Sequence, residues 1–343
     1  MDGAAAMSRP RSTSRAMAAW VTDAAGSLTL GERPMPVPED DEVLIRVEAC
    51  GVCRTDLHVI DQELPVHRPG VIPGHQVVGV VVETGARVSQ LARGDRVGIA
   101  WLRRTCGACR WCREGRENLC PSSTYTGWDI DGGYAQFATA PEAFAYPLPA
   151  GADAVRTAPL LCAGIIGYRA LARTNLPPGG RLGIYGFGSS AHITAQIARA
   201  AGAQIYAMSR TEQDRTLARQ LGAVFAGDAT AEPPDLLDAA IVFAPAGDLV
   251  PVALRAVTRG GTVVLAGIHM SDIPPMDYTE DLFYERDLRT VTANTRADGA
   301  ALLRLARNLD VGPTVTEYSF EQADEAVSAL RDGRASGSLV IVM

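Results

Sequence analysis

The first half of the chain consists of short apolar runs separated by Gly, Pro and Asp. Between residues 17 and 149 the clearest runs are DEVLIRVEA (41–49), HQVVGVVVETG (75–85) and GDRVGIAW (94–101). Runs of this length, rich in Val and Ile and bounded by turn-forming residues, are typical of β-strands. This half is therefore predicted to be β-rich.

Beyond residue 159 helical and strand-like stretches alternate. The stretch LLCAGIIGYRALART (160–174) predicts a helix that leads into this second region. Strands are then predicted at residues 181–185, 203–209, 223–227, 238–244, 261–267 and 288–293. Strands that alternate with helices form a parallel, doubly wound sheet, and six of them make a complete dinucleotide-binding unit. The second region is therefore predicted to be an α/β domain.

The last segment returns to a different pattern, with two predicted helices followed by the run SLVIVM (338–343). We expect this terminal strand to rejoin the first region, so that one domain comprises residues 17–155 plus 299–343 and the other, inserted domain comprises 156–298. Residues 1–16 contain Arg and Ser and lack the apolar core of a secretory signal. They are predicted to be a disordered arm, and the alternatives are an organelle-import segment or a misplaced start codon, with Met7 and Met17 as candidate starts.

Composition narrows the function classes. The 343 residues exceed a typical single core and carry a net charge of -7, which argues against general binding to nucleic acid or anionic membranes. All 32 basic residues are arginine, and without lysine neither Schiff-base chemistry nor a Walker-type phosphate loop is available.

Seven cysteines at close spacings fit metal binding better than disulfides, which predicts a reducing cytoplasm. No apolar run reaches the length of a membrane span.

Four of the cysteines lie within one short stretch with the spacing C-x2-C-x2-C-x7-C, namely Cys106, Cys109, Cys112 and Cys120. Four thiolates satisfy a tetrahedral zinc ion and leave no open position, which is typical of a structural site. The five arginines between residues 103 and 116 raise the alternative of a nucleic-acid-binding knuckle, but Glu114 and Glu117 interrupt that charge. We therefore predict a structural zinc that braces the surrounding domain or a subunit contact.

Three further candidates for metal ligands are Cys53, His75 and Cys162. Three protein ligands and one open position are the arrangement of a catalytic zinc. Taken alone, however, Cys53 also fits a redox pair with Cys50 in the run Cys-Gly-Val-Cys, His75 fits a turn histidine, and Cys162 fits a buried core cysteine. The spacing of these residues leaves the alternatives open.

A glycine-rich turn follows the first strand of the second region. Gly186 and Gly188 precede Ser189, Ser190 and Ala191, where a helix is predicted to begin. Such glycines let the backbone approach a pyrophosphate, which the free N–H groups of the helix N-terminus then bind.

The end of the next strand bears on the choice of cofactor. The residues there are Ser209 and Arg210, where NAD-specific sites place an acidic residue. A hydroxyl and a guanidinium can bind a ribose 2′-phosphate, so NADP(H) is favoured over NAD(H). A solvated loop arginine is the alternative interpretation.

The chain resembles the zinc-dependent medium-chain alcohol dehydrogenases from about residue 17 to its end, and most closely their bacterial and cinnamyl-type aldehyde-reducing branch. The matching segments include ACGVCRTDLH (49–58), GHQVVG (74–79), CGACRWCREGRENLC (106–120), TGWDIDGGYAQF (126–137) and LLCAGIIGYRAL (160–171). The resemblance implies a GroES-like, β-rich catalytic domain with an inserted six-stranded Rossmann domain. It also implies a homodimer or homotetramer.

The same resemblance assigns roles to individual residues. It implies that Cys53, His75 and Cys162 are the catalytic zinc ligands, with one structural zinc besides, giving two zinc ions per subunit. Thr55 matches the hydroxyl beside the reacting oxygen, and His58 matches the outer, exposed end of a proton relay through the cofactor ribose.

Three further residues are placed around the catalytic zinc. Asp56 matches a carboxylate that orients His75. Gln76 stands where most relatives have a glutamate beside the zinc, and a neutral amide is a poorer ligand. Trp128 is our candidate for the wall of the substrate pocket.

The sequence therefore predicts a zinc-dependent, NADP(H)-preferring dehydrogenase that reduces aldehydes to alcohols, with a small-molecule substrate and no nucleic-acid or membrane partner. Two rivals stay open at this stage. One is a zinc-independent quinone or enone reductase of the same superfamily. The other is a protein that binds zinc and NADPH as a redox sensor without turnover.

Overall fold

The computed structural model of the protein describes residues 15–343. Most of the arm predicted over residues 1–16 lies outside this range. Its last two residues are already part of a hairpin, because the first strand begins at Ala16 and the carbonyl of Arg15 accepts a hydrogen bond from the N–H of Met35 (2.7 Å).

Short strands dominate the chain as far as residue 157, as predicted. The three helices of this part are α1 (Arg54–Ile60), α2 (Arg110–Arg113) and α3 (Ala154–Thr157). Its strands are β1 (Ala16–Thr22), β2 (Leu28–Pro34), β3 (Glu42–Val52), β4 (Gln76–Thr84), β5 (Arg96–Ile99), β6 (Leu102–Arg104), β7 (Thr124–Tyr125), β8 (Phe137–Pro141) and β9 (Ala145–Pro147). The three apolar runs quoted above correspond to β3, β4 and β5, which pair in an antiparallel sheet.

The helix predicted over residues 160–174 is divided in two. Ala158–Leu161 form a 3-10 turn, Cys162 has non-helical backbone angles (φ -134°, ψ -68°), and α4 runs from Ala163 to Arg173. Pro159 lacks a backbone donor and lies in the tight turn, where it cannot continue an α-helical hydrogen-bond pattern. The break leaves Cys162 at the start of α4.

The inserted domain is a parallel, doubly wound sheet. Its helices are α5 (Ser189–Ala200), α6 (Glu212–Gln220) and α7 (Leu249–Ala256). Its strands are β10 (Arg181–Tyr185), β11 (Gln204–Met208), β12 (Phe225–Gly227), β13 (Leu237–Val242), β14 (Val257–Leu265) and β15 (Asp287–Thr290). All neighbours are parallel in the order β12-β11-β10-β13-β14-β15, so the six predicted strands are confirmed. The strand order reverses between β10 and β13, where such sheets open a crevice for a nucleotide.

The terminal segment rejoins the first sheet. It contains α8 (Arg296–Leu309), β16 (Val315–Ser319), α9 (Ala323–Arg331) and β17 (Ser338–Val342). Strand β17 pairs antiparallel with β3, placing Ile341 opposite Cys50, and β16 extends the sheet beyond it. The predicted return of the terminal strand is thus what the structure shows, whereas the domain boundaries near residues 155 and 298 stay predictions.

The two sheets are joined by a shared apolar cluster. Leu161 and Ile165, around the start of α4, are fully buried with Val78 of β4, Val340 of β17 and Leu302 of α8. Because α4 packs in this cluster, its N-terminal end is held against the β-rich domain. This is what positions Cys162.

Candidate active site and metal centres

Three predicted zinc ligands from distant segments meet in one cluster. The Sγ atoms of Cys53 and Cys162 and a ring nitrogen of His75 all lie within 4.8 Å of one another. Cys53 follows the end of β3 and His75 immediately precedes β4, and these antiparallel neighbours pair Gly51 with Gln76. The sheet therefore brings Cys53 and His75 together, with Cys53 Sγ 3.2 Å from His75 Nε2, while the break before α4 supplies Cys162.

The cluster has the electrostatics of a cation site. Contact with Cys162, together with burial, raises the pKa of Cys53 well above its ordinary value. Burial opposes a charged His75, but its interactions with Cys53 and with the Asp56 carboxylate outweigh that effect and raise its pKa to about 10. A metal cation would take the place of these protons, and two sulfurs with one imidazole nitrogen are ligands that zinc prefers. The donor set therefore fits a zinc ion with one further position open.

Asp56 organises the backbone and ring around this cluster. It is 1% exposed, and its carboxylate accepts hydrogen bonds from the N–H of Cys53 (2.9 Å), the N–H of Gly74 (3.2 Å) and the hydroxyl of Tyr134 (3.2 Å). His75 Nδ1 lies 3.1 Å from Oδ1 of Asp56, within ion-pair distance but without hydrogen-bond alignment. The predicted contact between Asp56 and His75 is present. Tyr134, which the sequence analysis missed, belongs to the same network.

Gln76 is buried beside His75 without a hydrogen bond for its amide nitrogen in the described part of the chain. Its side chain lies over Gly51, where a Cβ atom would come within 2.8 Å of Oε1 of Gln76. The glycine therefore makes room for the amide. Gln76 directly follows His75 and pairs with Gly51, two residues before Cys53. It therefore lies next to two of the candidate ligands, at the position where most relatives have glutamate.

The two predicted relay residues both lie on α1. Thr55 is half-buried in the first turn, two residues after Cys53. His58 was predicted to be exposed, and this is wrong, since its residue is 4% exposed and its Nδ1 contacts the carboxylate of Glu63. The error arose because the sequence does not show that the chain folds back over α1 after residue 60.

Aromatic rings form a stack next to His75. The ring of Trp101 meets the His75 ring edge-on at 4.9 Å, and Trp128 stacks behind Trp101 at 5.8 Å. Trp128 also stacks on His67 at 4.0 Å and donates a hydrogen bond from Nε1 to the carbonyl of Pro65 (2.9 Å). Trp101 is thus the aromatic residue in contact with a candidate ligand, and Trp128, our predicted pocket residue, lies one layer further out.

The glycine turn has the geometry expected at a pyrophosphate site. Gly186 has φ +85°, and a Cβ there would come within 2.9 Å of the backbone N of Ala244, so a larger residue is excluded. A Cβ on Gly188 would meet open space, which leaves the N-terminus of α5 accessible. Ala191 is fully buried and can serve only close packing of helix on sheet.

The two predicted serines of this turn differ in the group that bonds within the protein, which is the hydroxyl in Ser189 and the backbone carbonyl in Ser190. The hydroxyl of Ser189 lies 2.6 Å from that of Ser338 on β17. The carbonyl of Ser190 accepts a hydrogen bond from the side chain of Thr194 (2.7 Å). Their backbone N–H groups in the first turn of α5 are therefore the groups that fit a diphosphate.

The predicted cofactor-selecting pair contains one exposed and one buried residue. Arg210 is exposed after β11, whereas Ser209 is 4% exposed and donates a hydrogen bond to the carboxylate of Asp214 (2.9 Å). Arg215 donates to the carbonyls of Ser209 (2.7 Å) and Arg210 (3.1 Å). The sequence analysis missed Asp214 and Arg215, because both reach back from α6.

The quartet of cysteines is organised by its own loop. The Sγ atoms of Cys106, Cys109, Cys112 and Cys120 lie within 4.8 Å of one another. The N–H of Cys109 points to Sγ of Cys106 (3.3 Å) and the N–H of Cys106 to Sγ of Cys120 (3.4 Å). Backbone N–H groups, mainly those of Ala108 and Cys109, lower the pKa of the Cys106 thiol to about 6. Four thiols with such donors fit a closed zinc site.

An ion pair between a buried carboxylate and an exposed guanidinium ties this loop to the start of α8. Glu117, in a 3-10 turn within the loop, accepts hydrogen bonds from the guanidinium of Arg296 (2.6 to 3.0 Å) and from its backbone N–H (2.8 Å). Asn118 donates to the carbonyl of Thr292 (2.9 Å). The quartet loop is thus held against the start of α8 and the residues just before it.

Comparison with known proteins agrees with this geometry. Residues 39–150 match the family model described as alcohol dehydrogenase GroES-like domain, and residues 191–308 match the one described as zinc-binding dehydrogenase. The chain is 56% identical over 341 residues to a probable alcohol dehydrogenase, AdhA, of Mycobacterium tuberculosis, with 96% of this chain and 99% of that protein covered. No helix among residues 15–343 is long and apolar enough to cross a membrane.

Solved structures share the whole fold. A cinnamyl alcohol dehydrogenase from Sorghum bicolor has TM-score 0.88 and 27% identity, covering 96% of this chain and 98% of that one. An acetophenone reductase from Geotrichum candidum in complex with NAD has TM-score 0.86, 28% identity and coverage of 96% and 97%. A zinc-binding dehydrogenase from Sinorhizobium meliloti bound to NADP has TM-score 0.84, 27% identity and coverage of 96% and 100%.

The two matched domains, the shared fold and the identity to AdhA agree with one another. The chain belongs to the zinc-type medium-chain alcohol dehydrogenase family and is an alcohol or aldehyde oxidoreductase.

Proposed function

We propose that the protein is a zinc-dependent aldehyde reductase that prefers NADP(H) and binds two zinc ions per subunit. The observation that carries the proposal is the cluster of Cys53, His75 and Cys162, held by Asp56 beside the aromatic stack. When bound, the zinc would supply a Lewis acid for the carbonyl and the nicotinamide would supply hydride. The protein's own residues bind, orient and exchange protons.

Helix α1 carries the two residues that we propose transfer the proton. Thr55 lies in the first turn of α1, two residues after Cys53, and its match to the family's hydroxyl supports a role in passing a proton to a substrate oxygen at the cluster. His58, one turn further along the helix, carries the imidazole that would accept that proton. The Trp101 ring covers the side of His75 and would exclude water from the reacting atoms.

The cofactor preference rests on charge at the end of β11. Arg210 is free to neutralise a 2′-phosphate, and Arg215 adds a second guanidinium within reach of the same backbone. Asp214 competes for the Ser209 hydroxyl and disfavours a phosphate there. Solved relatives with NAD and with NADP both exist, so the preference of this chain follows from the balance between these residues.

The test is the initial rate of NADPH oxidation with a panel of aliphatic and aromatic aldehydes, with NADH run alongside. We expect turnover with NADPH and a kcat/KM for NADH at least about tenfold lower, equivalent to about 1.4 kcal/mol. Activity with a quinone or enone after zinc removal would instead support the zinc-independent reductase. Binding of zinc and NADPH without any turnover would support the sensor.

Arg210→Ala separates charge recognition from general cofactor binding. We expect KM for NADPH to rise about tenfold or more while KM for NADH changes less than about twofold, because the guanidinium faces a phosphate that NADH lacks. Asp214→Asn is the matched variant and should strengthen NADPH binding. Equal losses for both cofactors in Arg210→Ala would contradict the assignment.

A further inference from the structure

Glu63 contacts the buried histidine of α1 and has no role in the site described above. Its carboxylate lies against Nδ1 of His58, and the side chain of Glu63 is 48% exposed while that of His58 is 5% exposed. Contact with His58 is the main cause that lowers the pKa of Glu63, so the carboxylate is charged near neutral pH. A buried imidazole is thus paired with an anion that reaches solvent.

The backbone is shaped to bring Glu63 back over the helix. The N–H of Glu63 bonds to the carbonyl of His58 (3.0 Å) and that of Gln62 to the carbonyl of Val59 (3.3 Å), which is a Schellman ending. Gln62 carries the left-handed conformation of this motif (φ +57°), where glycine is usual. Its amide donates to the carbonyls of Asp23 (3.2 Å) and Ala24 (3.3 Å), and these bonds hold the turn.

The other face of His58 has no comparable partner. Its Nε2 is buried and makes no hydrogen bond within the described residues. The exposed ring of His269, from the loop after β14, lies with its centroid 5.4 Å from that of His58. His269 and Arg54 are the other basic residues that act on the Glu63 carboxylate. A buried nitrogen without a partner requires one from outside the chain, and a cofactor hydroxyl is such a partner.

We propose that Glu63 is a positioning residue that holds His58 as the Nδ1–H tautomer and leaves Nε2 as its proton acceptor. The inference rests on the proposed function, in which His58 receives the proton of the alcohol. During alcohol oxidation one proton arrives at Nε2, the Nδ1 proton stays on the ring, and the carboxylate stabilises the resulting imidazolium, which returns its proton to solvent before the next turnover. Glu63 itself remains ionised, as the carboxylate of a catalytic triad does.

Two substitutions with side chains of about the size of Glu63 separate the effect of its charge from the effect of its hydrogen-bond acceptor. Glu63→Met removes the acceptor and the charge, whereas Glu63→Gln keeps an acceptor oxygen and removes the charge. Asp61→Asn is the matched control, since Asp61 ends the same helix but pairs with Arg331. The chain has five histidines, so 15N spectra of imidazole-labelled holoenzyme resolve the tautomer of His58, assigned with His58→Asn.

We expect the wild type and Glu63→Gln to show a protonated Nδ1, and Glu63→Met to show the Nε2–H form. The kcat for alcohol oxidation should fall about tenfold to a hundredfold in Glu63→Met and by less in Glu63→Gln, with KM for NADP+ within about twofold and zinc content unchanged. Asp61→Asn should match the wild type.

A protonated Nδ1 in Glu63→Met, or an unchanged kcat in that variant, would overturn the proposal. Equal losses in Glu63→Met and Asp61→Asn would also overturn it, because they would indicate a general effect on the helix. Absence of turnover in the wild type would refute the proposed function instead, and the spectra would still report whether Glu63 sets the tautomer.

Discussion

The two cysteine-containing clusters of this chain hold their candidate ligand atoms within the same distance of one another, but different parts of the fold bring those atoms together. The quartet comes from one loop of fifteen residues, 106–120, and its sulfurs accept hydrogen bonds from that loop's own backbone. The trio comes from the end of β3, the start of β4 and the break before α4. Cys106 is exposed, whereas His75 is 1% exposed.

This difference indicates which cluster depends on the metal for its shape. A loop with little apolar core gains most of its order from the ion it binds. The trio is held by paired strands and by Asp56, which bonds to the backbone on both sides of the cluster. The fold itself therefore holds the trio together, and an open position at the zinc that we propose there would serve chemistry rather than stability.

The largest expected effect is loss of turnover on breaking the trio. In Cys53→Ala we expect aldehyde reduction to fall by at least about a thousandfold, because the electrophilic metal is lost, while NADPH binding and the quartet zinc remain. Rate, zinc content by elemental analysis and NADPH fluorescence measure this.

Cys50→Ala is the control for that variant, since Cys50 is buried in β3 outside the trio. It should retain both metals and most activity. Persistent reduction in Cys53→Ala at one zinc per subunit would disprove the catalytic assignment of the trio.

An intermediate effect is expected on breaking the quartet. Cys112→Ser should lower zinc content to one per subunit and the midpoint of thermal unfolding by about 5 °C or more, since the loop and its Glu117–Arg296 contact lose their support. The kcat of the folded fraction at 25 °C should stay within about threefold. Arg113→Gln, an exposed change in the same helix, serves as control, and a stable variant with one zinc would contradict a structural role.

The smallest expected effect concerns thiol reactivity after metal removal. Cys106 is exposed, and the backbone N–H groups that stay close to its sulfur lower the pKa of the thiol, which favours the reactive thiolate at pH 7. The pKa of Cys53 is raised by Cys162 and burial, so it would stay protonated. Iodoacetamide with peptide mass spectrometry should label Cys106 well before Cys53, and the reverse order would refute the contrast.

Much of the fold follows from the sequence because its signals are local. The apolar runs that became β3 and β4, and the six strands of the inserted sheet, are each bounded by turn formers. Strand β16 (Val315–Ser319) was not predicted because most of its residues are polar and exposed. It lies at the edge of the sheet. Local patterns fail where pairing with a distant strand supplies the stability.

The site shows the same contrast between features that local sequence segments predict and features that depend on contacts between distant parts of the chain. Matching segments placed Cys53, His75 and Cys162 as ligands, and the structure brings all three together. The burial of His58 and its contact with Glu63 were not predictable, because they depend on a left-handed residue that no sequence pattern marks. The contact of Asp214 with Ser209 likewise depends on the direction in which α6 leaves its strand.

The pairing of β17 with β3 also fixes the order in which the protein can be completed during synthesis. The side of β3 that pairs with β17 stays uncovered until Ser338–Val342 emerge, by which time every strand of the inserted sheet is already available. Limited proteolysis of ribosome-bound chains that end before residue 338 should therefore find residues 181–290 protected first. The β-rich region is therefore synthesised first but gains its last strand only after the inserted domain has been synthesised.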